Sequence, residues 1–152
     1  MSINKLNKVQ KQAVEAVNGP VLIFAGAGSG KTRVLTHKMW YLINECNYKP
    51  EHILALTFTN KAAKEMKDRV KKLLKTDDLP ITIGTFHSVC ARLLRNEAKH
   101  LGLTRNFAIY DVQDQLDLIR VVLKTLEISK DIITANGARN YISYSKNKMI
   151  LP

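Results

Sequence analysis

A chain of 152 residues with 45% hydrophobic content is long enough to bury a core and fits one globular, soluble domain. A formal charge of +11 points to a polyanionic partner, most often nucleic acid, although a basic, well-solvated surface gives the same sum. No apolar run is long enough to span a membrane, no signal peptide is visible in the polar start Met1 to Lys11, and Cys46 and Cys90 stand far apart in no metal spacing, so a reducing, cytoplasmic setting is expected.

In chain order, Leu6, Val9, Ala13 and Val17 recur at helical spacing, with Gln10 and Val14 beside them, until Asn18-Gly19-Pro20 stops the helix. The Gln10 amide offers both donor and acceptor and suits an adenine edge; it reads equally as a solvated helix residue. Val21-Leu22-Ile23-Phe24 then reads as a buried strand. Ala25-Gly26-Ala27-Gly28-Ser29-Gly30-Lys31-Thr32 follows the phosphate-loop pattern, with Ala25 where the usual pattern has glycine. Glycines let backbone N–H groups converge on phosphate oxygens, and the helix opening at Lys31 turns its positive end to the same place. Lys31 is the candidate for the β- and γ-phosphates and Thr32 for Mg²⁺. Arg33, in the first turn, is either a further phosphate contact or a solvated arginine. Leu35, Met39, Leu42 and Ile43 mark the inner face of that helix, which is expected to run to about Cys46.

Ile53 to Phe58 is the second predicted strand, and Thr59 or Asn60 caps the next helix. Ala62, Ala63, Met66, Val70, Leu73 and Leu74 form its apolar face, and seven Lys or Arg residues cover the rest against Glu65 and Asp68. This order is a βαβ unit with a parallel sheet, so ligands are expected at the carboxyl ends of the strands. Phe58, Thr59, Asn60 and Lys61 fall on that rim, where an aromatic and a helix amino terminus can stack a base and hold a strand phosphate; a core Phe and an ordinary cap is the plainer alternative. Ile81 to Phe86 is the third strand, with Thr85 and His87 offering donors at its end. Val89, Leu93, Leu94 and Leu101 should face inward on the helix that follows, and Gly102 ends it. Phe107 to Tyr110 followed by Asp111 has the shape of a metal-binding strand end, but no Glu follows, and the helical pattern from Val112 favours Asp111 as an N-cap. Beyond Ile128, a polar helix with Ile132, Ile133, Ala138, Tyr141 and Ile142 on one face is expected.

Several of these segments fall in the order found in one family. The chain resembles the amino-terminal part of UvrD/Rep/PcrA-type superfamily 1 DNA helicases. Leu6 to Val14 is similar to the family's Q motif, Ala25 to Thr32 to its phosphate loop, Ala55 to Ala63 to motif Ia and Ile83 to Ser88 to motif Ib. The resemblance implies an α/β fold of the P-loop NTPase, RecA-like type: residues 1–87 as the first part of motor subdomain 1A, and residues 88–152 as the start of a helical insert, 1B. It implies ATP and Mg²⁺ as cofactors, single-stranded DNA and single/double-strand junctions as partners, and 3′ to 5′ unwinding. It also implies that Phe107 to Tyr110 lies outside the motor sheet. The family's Asp-Glu motif and second motor domain are absent from these residues, so the chain by itself is expected to bind nucleotide and hydrolyse almost none. Two other readings remain at this stage: a non-catalytic basic nucleic-acid-binding module, and a small self-sufficient P-loop ATPase or kinase using Asp111.

Overall fold

The sheet is smaller than the sequence predicts. The computed structural model describes residues 3–151; Met1, Ser2 and Pro152, the outer ends of the polar start and of the closing Leu151-Pro152 pair, lie outside the described residues. Its contacts divide into two units, Met1–Leu103 and Thr104–Pro152.

In the first unit, a 3-10 turn at Ile3–Lys5 leads into α1 (Lys8–Glu15), α2 (Lys31–Asn44), β1 (Leu54–Thr57), α3 (Asn60–Leu74), β2 (Thr82–Thr85) and α4 (Phe86–Asn96). β1 and β2 pair in parallel, in register from Leu54 opposite Thr82 to Thr57 opposite Thr85. α3 is the crossover between them. A parallel pair cannot be closed by a tight hairpin, so a connecting helix is the normal solution. Met39, Ile53, Met66, Val70, Leu79 and Ile81 form the buried cluster where α2 and α3 meet the sheet.

Local chemistry sets the helix starts. Asn7 and Gln10 make a reciprocal capping box on α1. The Thr59 hydroxyl accepts the Ala62 N–H at 3.1 Å at the head of α3. Thr85 and Ser88 form a second box on α4, with Ser88 in place of the usual Glu or Gln. After α4 a short 3-10 turn, Ala98–Leu101, ends on Gly102 at φ 68°, a left-handed position that glycine takes without steric cost.

Val21–Phe24 corrects the first strand expectation. Among the described residues it joins no sheet, and its side chains are 44%, 79%, 39% and 91% exposed. An apolar run becomes a strand only when neighbours complete its ladder, and the sheet formed by β1 and β2 does not extend to it. The inner faces are corrected similarly. Val14 is the fully buried residue of α1, whereas Val9 is 72% exposed. Leu35 is exposed, and Val34 and Met39 carry the packing of α2. Val89 and Ala98 are buried, but Leu93, Leu94 and Leu101 face solvent. Periodicity identifies an apolar stripe, but a stripe is buried only where another element lies on it.

In the second unit, α5 (Val112–Thr125) and α6 (Ala135–Asn147) pack against each other, and Leu116 is the buried residue of α5. Arg139 Nε donates to Gln115 Oε1 at 3.1 Å and ties the two helices. Asp111 is the N-cap of α5: its carboxylate accepts the Asp114 N–H at 2.9 Å, and Asp114 returns a bond to the Asp111 N–H. Phe107 to Tyr110 belongs to no strand. Ile133 and Ala138 are half-buried, while Ile132, Tyr141 and Ile142 are exposed rather than inward. Among the described residues, no helix is long and apolar enough to cross a membrane.

Candidate functional site

The phosphate-loop segment is a tight turn set on a helix. The Ser29 N–H and hydroxyl both donate to the Gly26 carbonyl, at 3.4 and 2.7 Å. Gly28 sits at φ 75° and Gly30 at φ 88°, both in the left-handed region. A Cβ on Gly30 would lie 2.9 Å from Gln10 Nε2, the end of a flexible side chain that can move aside, so it is the torsion angle that calls for glycine here. Gly30 is also the N-cap of α2, and it has no side chain to cap the helix. The first-turn N–H groups of α2 therefore meet no side-chain acceptor from their own cap, which is the arrangement an anion uses.

Lys31 curls back over the turn. Its Nζ donates to the Ala25 carbonyl at 3.0 Å and to the Gly26 carbonyl at 2.7 Å. Gln10 faces the same turn from α1, with Nε2 donating to the Ser29 carbonyl at 3.0 Å while Oε1 accepts the Asn7 N–H at 3.3 Å. Both ends of the Gln10 amide are thus engaged, and reading an adenine edge requires exchanging one of these bonds. Between α1 and the turn lies a cavity of about 240 Å³, lined by Gln10, Ile23, Phe24, Gly26, Ser29 and Lys31 among others. Sites for drug-sized ligands run from about 300 to 1,000 Å³, so this space is smaller than a whole ligand of that size needs.

Arg33 points elsewhere. Its Nη2 donates to the Lys5 carbonyl at 2.7 Å, anchoring the segment ahead of α1. Lys38 makes a similar tie: its Nζ donates to the Ala13 and Ala16 carbonyls at the carboxyl end of α1. Those carbonyls lack helical partners, and a cation there suits the helix dipole. Partial burial lowers the Lys38 pKa, with the Cys46 thiol acting in the opposite sense. Thr32, half-buried in the first turn of α2, is positioned next to Lys31. Ala27 and Gly28 form the exposed crest of the turn. Among the described residues no three His, Cys, Asp or Glu side chains gather as a metal cluster.

The second constellation lies at the carboxyl ends of β1 and β2. Because Thr57 is level with Thr85, the next residue on each strand emerges at the same edge. These are Phe58 and Phe86, whose ring centroids are 6.2 Å apart at an interplanar angle of 44°. Phe58 is 93% exposed and Phe86 51%, so the pair is presented to solvent rather than packed in the core. Asn60, Lys61 and His87 lie exposed in the first turns of the adjoining helices. Thr59 and Thr85 hold those helix starts, and the Thr85 side chain is buried and bonded to Ser88. Phe86 is not among the residues that the sequence singles out as candidate contacts. The repeated Thr-Phe ending of the two predicted strands carries the signal, since equal endings on paired parallel strands place like residues together.

The first unit is thus an α/β unit with a glycine-rich turn on a helix amino terminus and exposed aromatics at the strand ends. Residues 6–152 match the UvrD/REP helicase N-terminal domain, and the chain belongs to that family. It is 46% identical over 150 residues to the ATP-dependent DNA helicase PcrA of Bacillus subtilis (strain 168), covering 99% of this chain and 20% of that protein. Identity to the protein of the same name in Staphylococcus aureus (strain Mu50) is 47%, with the same coverage. With that of Staphylococcus epidermidis (strain RP62A) it is 47%, over 21% of the relative. The chain therefore spans about a fifth of the length of these curated relatives.

Proposed function

We propose that this chain is the nucleotide-binding and single-stranded-DNA-contacting amino-terminal part of an ATP-dependent 3′ to 5′ DNA helicase. Residues 1–87 begin its RecA-like motor subdomain 1A, and residues 88–152 begin its helical insert 1B. The observation that carries this reading is the glycine turn Gly26–Ser29 seated on the side-chain-free start of α2, with Lys31 and Gln10 both directed at the turn.

In this reading Gly26, Gly28, Ser29 and Gly30 present backbone N–H groups to the phosphates, with Ala25 and Ala27 as small spacers. Lys31 exchanges its two carbonyl acceptors for phosphate oxygens, a favourable trade because a charge-assisted pair is stronger than a bond to a neutral carbonyl. Gln10 exchanges Ser29 for the adenine edge. Arg33 acts from its anchor on Lys5, keeping the segment ahead of α1 close to the turn. Thr32 supplies the hydroxyl for Mg²⁺, which when bound with ATP neutralises charge on the transferring phosphoryl group. Phe58, with Phe86 beside it, offers a stacking surface for an unpaired base, and Asn60, Lys61 and His87 take the adjacent strand phosphates. Thr59 and Thr85 position that surface as caps. The remainder of the helicase, including a second RecA-like domain, would close the nucleotide cleft and set the strand moving past single/double-strand junctions.

The test follows labelled oligo(dT) and Mg-ATP in one sample with the isolated chain. Binding of both, with negligible phosphate release, is the expected result. Sustained turnover would refute the need for further chain and direct attention to Asp111. Oligonucleotide binding that ignores Lys31→Ala and Phe58→Ala alike would favour a simple basic binding module.

A further inference from the structure

A second cationic recess lies on the side of α2 that meets α3. It is a cleft of about 340 Å³ lined by Arg33, Thr36, His37, Arg69, Lys72 and Leu73. Arg33 and His37 come from the first two turns of α2, and Arg69 and Lys72 from the later turns of α3. One internal bond orients each α2 residue. The Arg33 guanidinium is fixed on the Lys5 carbonyl, and His37 Nδ1 lies 2.8 Å from the Arg33 carbonyl. A carbonyl can only accept, so Nδ1 is the donor there and Nε2 faces away from that bond. The buried Thr36 hydroxyl also donates to the Arg33 carbonyl, which leaves the floor of the cleft to its methyl group and to Leu73.

The charge balance around the cleft is positive. Glu65 lies 3.7 Å from Arg69, but both side chains are about half exposed, and a pair of that kind is held weakly. Arg33 and Lys72 meet no carboxylate within ion-pair distance among the described residues. Like charges on facing helices repel one another, and burying Met66 and Val70 holds α3 in place despite this. An arrangement of cationic ends above a small apolar floor matches a sugar-phosphate unit: the phosphate meets the guanidinium and ammonium groups, and the sugar lies on Leu73 and the aliphatic stems.

We propose that this cleft is a second anion site, separate from the phosphate turn, that takes a backbone phosphate of a nucleic-acid strand. His37 lies six residues beyond Lys31 on one rigid helix, about 9 Å along its axis at 1.5 Å per residue. The strand phosphate and the nucleotide phosphates are therefore held by successive turns of the same element.

The test compares Arg69→Gln/Lys72→Gln with a control of equal charge loss, Lys124→Gln/Lys130→Gln, both in the full chain. Fluorescein-labelled dT20 is titrated by anisotropy between 50 and 300 mM NaCl, with thermal melting as the folding control. Removing two phosphate contacts should lower the salt slope by about 1.4, or about 25-fold in affinity at 0.1 M salt, while the control changes the slope by less than half as much. Equal losses in the two double variants, or wild-type binding by the first, would overturn the site. The same titration against inorganic phosphate separates the sources of the anion. Phosphate that binds the wild type but not Arg69→Gln/Lys72→Gln, while both proteins bind dT20 with equal affinity and salt slope, would make this a free-phosphate site and overturn the strand assignment. Phe58→Ala serves as the independent arm, since its failure to weaken dT20 would count against the strand-end reading and not against this cleft.

Discussion

Replacing Phe58 with alanine separates a binding surface from a structural residue. The ring is 93% exposed, and among the described residues its aromatic neighbour is Phe86, at 6.2 Å and 44°. So little area is buried that removing it forfeits almost none of the roughly 1.5–3 kcal/mol a core aromatic gains by burial. The aromatic pair itself is worth about 0.5–1.5 kcal/mol at most, and less where both rings are wet. The melting temperature should therefore fall by a few degrees at most. Base stacking on an aromatic is worth about 1–3 kcal/mol, so dT20 should bind roughly 5- to 150-fold more weakly. Leucine at the same position keeps apolar area but not the π-face and should recover only part of the loss. Anisotropy at fixed salt, paired with a thermal melt, measures both quantities. Undiminished binding, or a large loss of stability, would refute the argument that this ring is displayed for a base.

Further expectations follow from individual contacts. Gly84→Ala places a Cβ 2.8 Å from Ser88 Oγ and 3.0 Å from Val89 Cγ2, and overpacking of that kind should cost about 1–3 kcal/mol by urea unfolding. Gly30→Ala holds alanine at a φ of 88° and displaces the Gln10 amide, so nucleotide affinity should drop more than for Gly26→Ala, which has no positive φ and whose Cβ meets nothing within 4 Å. Asp111→Ala removes the cap of α5 and should cost about 0.5–2 kcal/mol in that helix, read by far-UV circular dichroism on heating. Gln113, and secondarily Arg120, hold the Asp117 carboxyl below its ordinary pKa. That interaction stabilises α5 above the unfolded carboxylate pKa and is lost as pH falls through the lowered folded value, so Asp117→Asn should flatten the acid limb of the melting profile.

The sequence exposes what is decided locally. Thr59 and Asp111 cap the helices that their side chains predict, because each bond spans three residues and needs no distant partner. β1, β2 and the crossover α3 are legible for a similar reason: two short apolar runs flank a strong 3.6-residue pattern. Val21–Phe24 reads as a strand in the sequence yet joins no sheet among the described residues, because ladder formation depends on what lies alongside, which no local pattern encodes. Val9 belongs to the apolar stripe of α1 and Val14 stands beside it, yet Val14 is the one covered, since burial depends on where α2 crosses. The tight turn at Gly26 to Ser29 is legible from its glycines. The grip of Lys31 on the Ala25 and Gly26 carbonyls, and the turning of Arg33 toward Lys5, depend on side-chain conformations that spacing does not fix.

The central claim is that Gly26 to Thr32 forms a working nucleotide-phosphate site against Gln10. A titration of the isolated chain with a fluorescent ATP analogue and Mg²⁺, wild type beside Lys31→Ala, addresses it most directly. Saturable binding to the wild type that is lost in the variant, with both proteins melting alike, is the expected result. Equal affinity in the two, or no binding by a wild-type protein shown to be folded, would contradict it.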